Sequence, residues 1–289
     1  MNILIQEHPQ VNLVPLMNCI IKSLGGGSMA GIFNTEVDPK AILSEFKPDL
    51  IFYHEDLISQ NVSDLLNNSK CANIAHQVVS TNNKTAATTF SLADVKHEAY
   101  FPPPCNTFIL EGAAERPRFK ADVSFIGPPS PRAVDTLTPL LDIDSDIHLK
   151  IYGENRYHNW RYCGLVMESD IKDIYRSSKI VPVFNSELEY DFRVLDCIFA
   201  GGVPLVEENQ NLSRRFGDVM TEISFIQETF AADVKHVLAN LDGIKVKLEG
   251  VRKTIIQDYT WYNVASDIAK KIGLKSIASK IESERSKIV

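Results

Sequence analysis

The segment SKIVPVFNSELEYDFRVLDCIFAGGVPLVEE, residues 178–208, constrains the fold of this chain more than any other. An apolar run over 179–185 leads into an acidic loop and then a helical stretch over 192–200. Gly201-Gly202 follow, and then a second apolar run over 203–208. Short apolar runs that alternate with helices belong to parallel sheets, whose strands are covered on both faces. Leu195, Ile198 and Phe199 supply the buried stripe of the helix, and the glycines end it, because glycine accepts the left-handed conformation at that point.

The same alternation runs through the rest of the chain. NILIQ at 2–6 reads as a first strand, and VPLMNCIIKSL at 14–24 as a helix stopping at Gly25-Gly26-Gly27. A helical turn at AILSEF, a buried-type strand DLIFYH, a helix-like SDLLNNS and a strand around ANIAHQVV come next. The stretch 99–119 carries Pro102-Pro103-Pro104, Gly112 and Pro117 and reads as a linker or domain-edge loop. A second series then begins: ADVSFIG, the helix AVDTLTPLLD, the strand HLKIYG, a helix in SDIKDIYRSS and the 178–208 unit. ADVKHVLANLD and roughly 264–287 are helical. The expected organisation is an α/β domain over 1–112, a second over 118–262 and a helical tail over 263–289.

Bulk properties exclude several classes. With 289 residues, 44% hydrophobic and 23% charged, the chain is an ordinary globular protein able to bury a core without staples. A net charge of −7 argues against a general nucleic-acid coat or a cationic membrane binder. Five cysteines without a CxxC pair form neither a disulfide framework nor a zinc pattern. No basic n-region with an apolar core opens the chain, and no apolar run approaches the roughly 18 residues of a membrane span. A cytoplasmic location is expected. Asp142, Asp144 and Asp146 alternate in a loop without the Gly and Glu of a calcium site, so they read as solvated charge and no metal site is expected.

Three strand ends could carry chemistry. ADVSFIGPPSPR can set backbone N–H groups and a helix start against an anion, with Arg132 adding a charge-assisted contact. HLKIYGE ends with Tyr152, Gly153 and Glu154, and Asn155, Arg156, His158 and Trp160 follow close by. In the 178–208 unit, Arg193 and Asp196 lie three apart on one helix face, which suits a diphosphate and a ribose respectively.

These segments resemble, in order, the donor-binding half of GT-B glycosyltransferases, most closely the CgeB-type (spore-maturation) glycosyltransferase family. DVSFIG with Arg132, LKIYG, CGLVMESDIKDIYRSSKI, the RVLDCIFAGGVPLVEE unit, LSRRFGDVMTEISFIQ and YTWYNVA carry the likeness over roughly 120–270. The resemblance implies two Rossmann-like domains facing across a cleft, with a C-terminal helix packing back on the N-terminal domain. It implies a nucleoside-diphosphate sugar as donor and no cofactor. Gly127 and Arg132 would approach the donor phosphates, and Tyr152 and Gly153 would border the nucleotide. The segment 162–166, with Cys163, Gly164 and Leu165, would contact the base through its backbone. Arg193 would bind the diphosphate, and Asp196 would stand for the ribose-holding glutamate. The family's first glutamate falls on Leu188, so Glu187 or Glu189 would substitute for it.

An inverting transfer needs a general base near the acceptor hydroxyl. Glu7 and His8 after the first strand, and His54, Glu55 and Asp56 after DLIFY, are the candidates at the carboxyl ends of the N-terminal strands. A glycan, lipid, protein or modified DNA base all remain open as acceptor, as does the oligomeric state. Two other readings fit the same residues: a phage-type DNA glycosyltransferase, and a non-catalytic nucleotide-sugar-binding module. The DNA reading would use Arg116, Arg118 and Lys120 with Lys245, Lys247, Arg252 and Lys253. The helix beyond Val264, bearing Lys270, Lys271, Lys275, Lys280 and Arg285, would brace the first domain or touch a membrane.

Overall fold

The structure, a computed structural model, describes residues 1–7, 13–24, 28–54, 57–69, 72–76, 88–90, 104–128, 130–142, 147–153, 162–185 and 190–288. Residues 72–76, 88–90, 108–109 and 141–142 are described by backbone alone. The chain divides into two compact units, one of Met1–Pro104 with Tyr259–Val289, the other of Cys105–Asp258.

The first unit opens with β1 (Asn2–Gln6), α1 (Val14–Leu24), β2 (Met29–Phe33) and a single turn, α2 (Pro39–Ala41). It continues with β3 (Leu50–His54), α3 (Gln60–Asn68), β4 (Ala72–His76) and β5 (Thr88–Phe90). The sheet is parallel throughout, in the order β2-β1-β3-β4-β5. β3 is buried at every residue, as an uninterrupted apolar run requires of a central strand. Leu16, Cys19, Ile20 and Ser23 form the buried stripe of α1. On α3, Val62, Leu65 and Leu66 pack with Leu4, Phe33, Ile51 and Tyr53.

The second unit begins with α4 (Thr107–Leu110), β6 (Ala121–Ile126), α5 (Pro131–Asp142), β7 (Leu149–Tyr152) and β8 (Tyr162–Gly164). Then come α6 (Glu168–Ser177), β9 (Ser178–Val183), α7 (Arg193–Phe199), β10 (Pro204–Glu207), α8 (Gln210–Phe216) and α9 (Val219–Glu222). β11 (Ser224–Phe225), α10 (Phe230–Ala239) and α11 (Leu241–Asp258) complete it. Its sheet is also parallel, in the order β11-β10-β9-β6-β7-β8.

The chain returns to the first unit with α12 (Trp261–Lys271) and α13 (Lys275–Arg285), both packed on α1. The single helical stretch expected over 264–287 is therefore two helices. Gly273, at φ 81°, adopts the left-handed conformation that ends α12. The expected boundary near 112–118 falls earlier, at Pro104–Cys105. Residues 105–117 are bound into the second unit: Ala114 and Arg116 donate backbone N–H bonds to Asp173 and Ser177 on α6, and Asn106 donates one to Asp196 on α7.

α7 ends as expected. Gly201 stands at φ 82°, its N–H donates to Ile198 O and that of Gly202 to Cys197 O, the paired bonds of a Schellman stop. A methyl group at Gly202 would lie 2.6 Å from the Tyr175 carbonyl oxygen, so α6 and this turn meet backbone to backbone. Among the described residues, no helix is long and apolar enough to cross a membrane.

Candidate functional site

Each sheet has a point where the chain reverses its direction of build. In the second unit β6 leads to β7 and β8 on one side, and β9 to β11 then add on the other. The reversal lies between β6 and β9, and in open α/β sheets ligands bind outside the carboxyl ends of the strands at such a point. In the first unit it lies between β1 and β3.

At the second reversal the loop after β9 and the start of α7 deliver Arg193. Its Nε and NH2 donate to the two oxygens of Asp191, each at 2.8 Å, and its NH1 reaches the carbonyl of Ile126, the last residue of β6, at 3.3 Å. Burial works against the guanidinium's charge, but Asp191 more than offsets it and raises its pKa. Beside it, a methyl group at Gly127 would meet the Phe125 ring at 3.0 Å and the Arg193 guanidinium at 3.6 Å. One at Gly153 would overlap the Gly127 carbonyl. The ends of β6 and β7 thus run backbone to backbone, and Arg193 closes over them.

Arg132, in the first turn of α5, pairs with Glu207 at the end of β10. The other Glu207 oxygen accepts the backbone N–H of Asn185 at 3.0 Å, while the Asn185 side chain donates to Glu208 O and accepts from Asn209. Underneath, Phe125, Phe184, Phe225 and Phe230 stack edge to face with centroids 4.9–5.7 Å apart, a rigid apolar floor. Among the described residues, the carboxyl edge of this sheet therefore carries two arginines, each held by a carboxylate. Asp191, Glu207 and Asn185 were not singled out from the sequence. For Glu207 and Asn185 the signal is spatial, since they come from other strands than Arg132; Asp191, two residues before Arg193, is within reach of a reading by spacing.

The remaining expected donor residues divide. Tyr152 is 4% exposed, its ring against Phe119, and burial followed by the Cys163 thiol raises its pKa. It is a core residue whose hydroxyl is turned to Cys163. Cys163 is exposed and in no disulfide, Gly164 adopts φ 94°, and Leu165 stands 71% exposed, so this edge is open to solvent. Glu187 and Glu189 lie outside the described residues, as do 154–161 and the acidic loop 143–146.

Asp196 differs from the expectation that it shares an outer face with Arg193. Every residue from Val194 to Phe199 is buried, so past Arg193 the helix has no outer face. The Asp196 carboxylate accepts the Asn106 backbone N–H at 2.9 Å and the Cys105 thiol. Burial is the strongest influence on it and lifts its pKa to about 7; the two donors pull it down, Asp191 adds to the rise and Arg193 opposes it. It in turn raises the Tyr175, Cys105 and Cys197 pKa values, alongside their burial.

At the reversal of the first sheet, Gln6 joins the two strands. Its side-chain oxygen accepts the His54 backbone N–H at 2.8 Å and its amide donates to Leu57 O at 2.9 Å. His54 is wholly buried, which denies its imidazole a solvent-borne acceptor. Glu7 is exposed just beyond β1, its backbone N–H bonded to Phe33 O. His8, Glu55 and Asp56 lie outside the described residues.

A groove of about 990 Å³ opens at the opposite, amino edge of the second sheet, lined by Asp122, Lys179, Glu222, His236 and Lys247 among others. Lys179 pairs with Asp122 at 2.8 Å and Lys247 with Glu222 at 2.5 Å, as Arg132 and Arg193 pair with Glu207 and Asp191. Position separates the two places: the arginines stand at the carboxyl ends of the strands by the reversal, where open α/β sheets take ligands, and the groove does not.

No family model and no curated protein matches the sequence. Solved structures match the fold. A glycosyltransferase from Rickettsia africae ESF-5 aligns over 96% of this chain and 98% of its own, with a TM-score of 0.65 and 11% identity. A sucrose-phosphate synthase from Thermosynechococcus elongatus covers 93% and is itself covered over 98%, at a TM-score of 0.64 and 10% identity. An alpha-glucosyltransferase, solved with UDP and a 13-mer DNA containing a central A:G mismatch, covers 94% and is covered over 99%, at 0.63 and 9%. At such identities the likeness is one of fold, and that fold is the GT-B type: two parallel α/β units, the C-terminal helices packed on the first.

Proposed function

We propose that this chain is a glycosyltransferase that moves a sugar from a nucleoside-diphosphate sugar to an acceptor hydroxyl. The observation that carries the reading is Arg193, brought to the Ile126 carbonyl at the reversal of the second sheet with Arg132 beyond it on α5. The donor diphosphate lies against these two guanidinium groups and the Gly127 turn. As the bond between sugar and phosphate breaks, negative charge grows on the leaving diphosphate. Cations already fixed in place stabilise that charge without reorganising. They supply the field that a divalent ion supplies in other transferases, so the reaction runs in EDTA. Leu165 and the backbone of 162–166 border the nucleotide base, and Glu7 is the proposed base toward the acceptor.

The UDP seen with the alpha-glucosyltransferase makes a uridine nucleotide the first donor to try. The test is turnover: incubation with UDP-glucose releases free UDP at least slowly by hydrolysis. A UDP-sugar bound and recovered intact over many hours indicates a binding module and contradicts the reading.

The second reading, transfer to a DNA base, is favoured by the 13-mer bound to that same neighbour. Against it, the chain carries a net charge of −7, which opposes a duplex that is an anion over its whole length. Duplex binding that falls steeply with salt supports the DNA reading; no binding at low salt removes it.

A further inference from the structure

Among the contacts that hold α7 at its Arg193 end, two are made through acids. One is the Arg193–Asp191 pair. The other is Asp196, 3% exposed, which reaches across to Cys105 and Asn106, where the chain enters the second unit. Cys105 and Thr107 are wholly buried beside it, and α4, which starts at Thr107, packs on both α6 and α7. At the far end of α7, Arg252 donates from α11 to Phe199 O at 2.9 Å. The helix is held along its length, and after the Arg193–Asp191 pair Asp196 is the tie nearest the guanidinium.

A ribose ligand must present its carboxylate to the nucleotide. Asp196 instead gives it to a backbone N–H and a thiol inside its own unit. We propose that Asp196 is a positioning residue: it ties the entry segment Cys105–Asn106 to the first turn of α7 and so holds Arg193 at the end of β6. The proposal rests on the donor reading above, and reassigns one residue within it. Loss of the tie lets α7 shift, and Arg193 then misses the diphosphate whether or not a ribose is attached.

That consequence separates the two roles. Inorganic pyrophosphate and UDP are titrated into the whole chain, in the native form and as D196A, D196N and N106P. The proline removes the donor on the other side of the tie without touching α7. The expected result is that D196A and N106P weaken pyrophosphate and UDP by the same factor, roughly tenfold, the size of one lost charged hydrogen bond. D196N, whose amide oxygen still accepts from Asn106, binds both as the native chain does. Weakened UDP with unchanged pyrophosphate in D196A, or unchanged binding of both, overturns the proposal.

Amide hydrogen exchange over 193–199 reports the tie without any ligand. It speeds up in D196A and N106P and stays native in D196N. Unaltered exchange in D196A and N106P also overturns the proposal. A native chain that binds neither probe, yet shows this exchange pattern, contradicts the donor reading while the tie stands.

Discussion

The two sheets reverse direction in the same way, yet the chemistry at the two reversals is different. In the second unit the carboxyl edge holds Arg193, paired with Asp191 of the loop before it, and Arg132, paired with Glu207 at the end of β10. In the first, a neutral amide, Gln6, bridges β1 and β3, with His54 sealed below it and Glu7 exposed above. Among the described residues, one edge carries two arginines paired with acids, and the other the exposed Glu7 carboxylate. Topology positions a site, and the residues placed there decide what it does.

The largest effect that tests this contrast comes from the first unit. Glu7→Gln lowers turnover by a factor of about 10²–10⁴, the usual contribution of a general base, and leaves UDP affinity unchanged. Kinetics against donor and acceptor separately check this; a comparable loss of UDP affinity erases the contrast between the two edges. Next in size is Gly153→Ala. Its methyl group overlaps the Gly127 carbonyl, so the edge must open, at a cost of about 1–3 kcal/mol seen as a lowered melting temperature. An unchanged melting temperature means the β6 and β7 ends are not packed as described.

Asp196 sharpens the comparison through pH. Its carboxyl, at about 7 when folded, lies above its unfolded value near 3.8. Between these values the unfolded chain has released the proton and the folded chain keeps it. Stability therefore falls as pH rises from about 4 to about 7, by at most about 1.4 kcal/mol per pH unit from this group. Asp196→Asn flattens that slope, which denaturant titrations at pH 5 and 7 measure; equal slopes in both proteins remove the buried charge from the account. The smallest effect is expected for Glu207→Gln, which keeps the Asn185 bond but loosens Arg132. UDP affinity changes by about threefold or less, because Arg132 is half exposed and its pairing is screened.

Much of the fold is legible in the sequence because the strands that matter are central. Leu50–His54, Ala121–Ile126 and Ser178–Val183 are buried apolar runs, and Gly201-Gly202 announce the end of α7. The edge strands are not legible. Met29–Phe33 is largely exposed and interrupted by Gly31, and Tyr162–Gly164 has only three residues. α11 runs unbroken to Asp258 on the stripe Ile244, Leu248, Val251 and Ile255, but Gly243, Gly250 and its basic residues mask the pattern.

Of the site, Arg193, Arg132 and Gly127 could be read from local context. The partner of Arg132 could not, since Glu207 meets it only once β10 lies beyond β9, whereas Asp191 stands two residues before Arg193. The inward turn of Asp196 was hidden for another reason. An i, i+3 spacing defines a face only on a helix with one side in solvent, and α7 is covered all round after its first residue.

The most direct test of the central claim is calorimetric titration of UDP into the native chain and into Arg193→Ala. The account predicts saturable binding by the native chain and a loss of about a hundredfold in the variant, the cost of removing one partner of a desolvated charged contact. Equal UDP affinity in the two proteins, or none in the native chain, contradicts it.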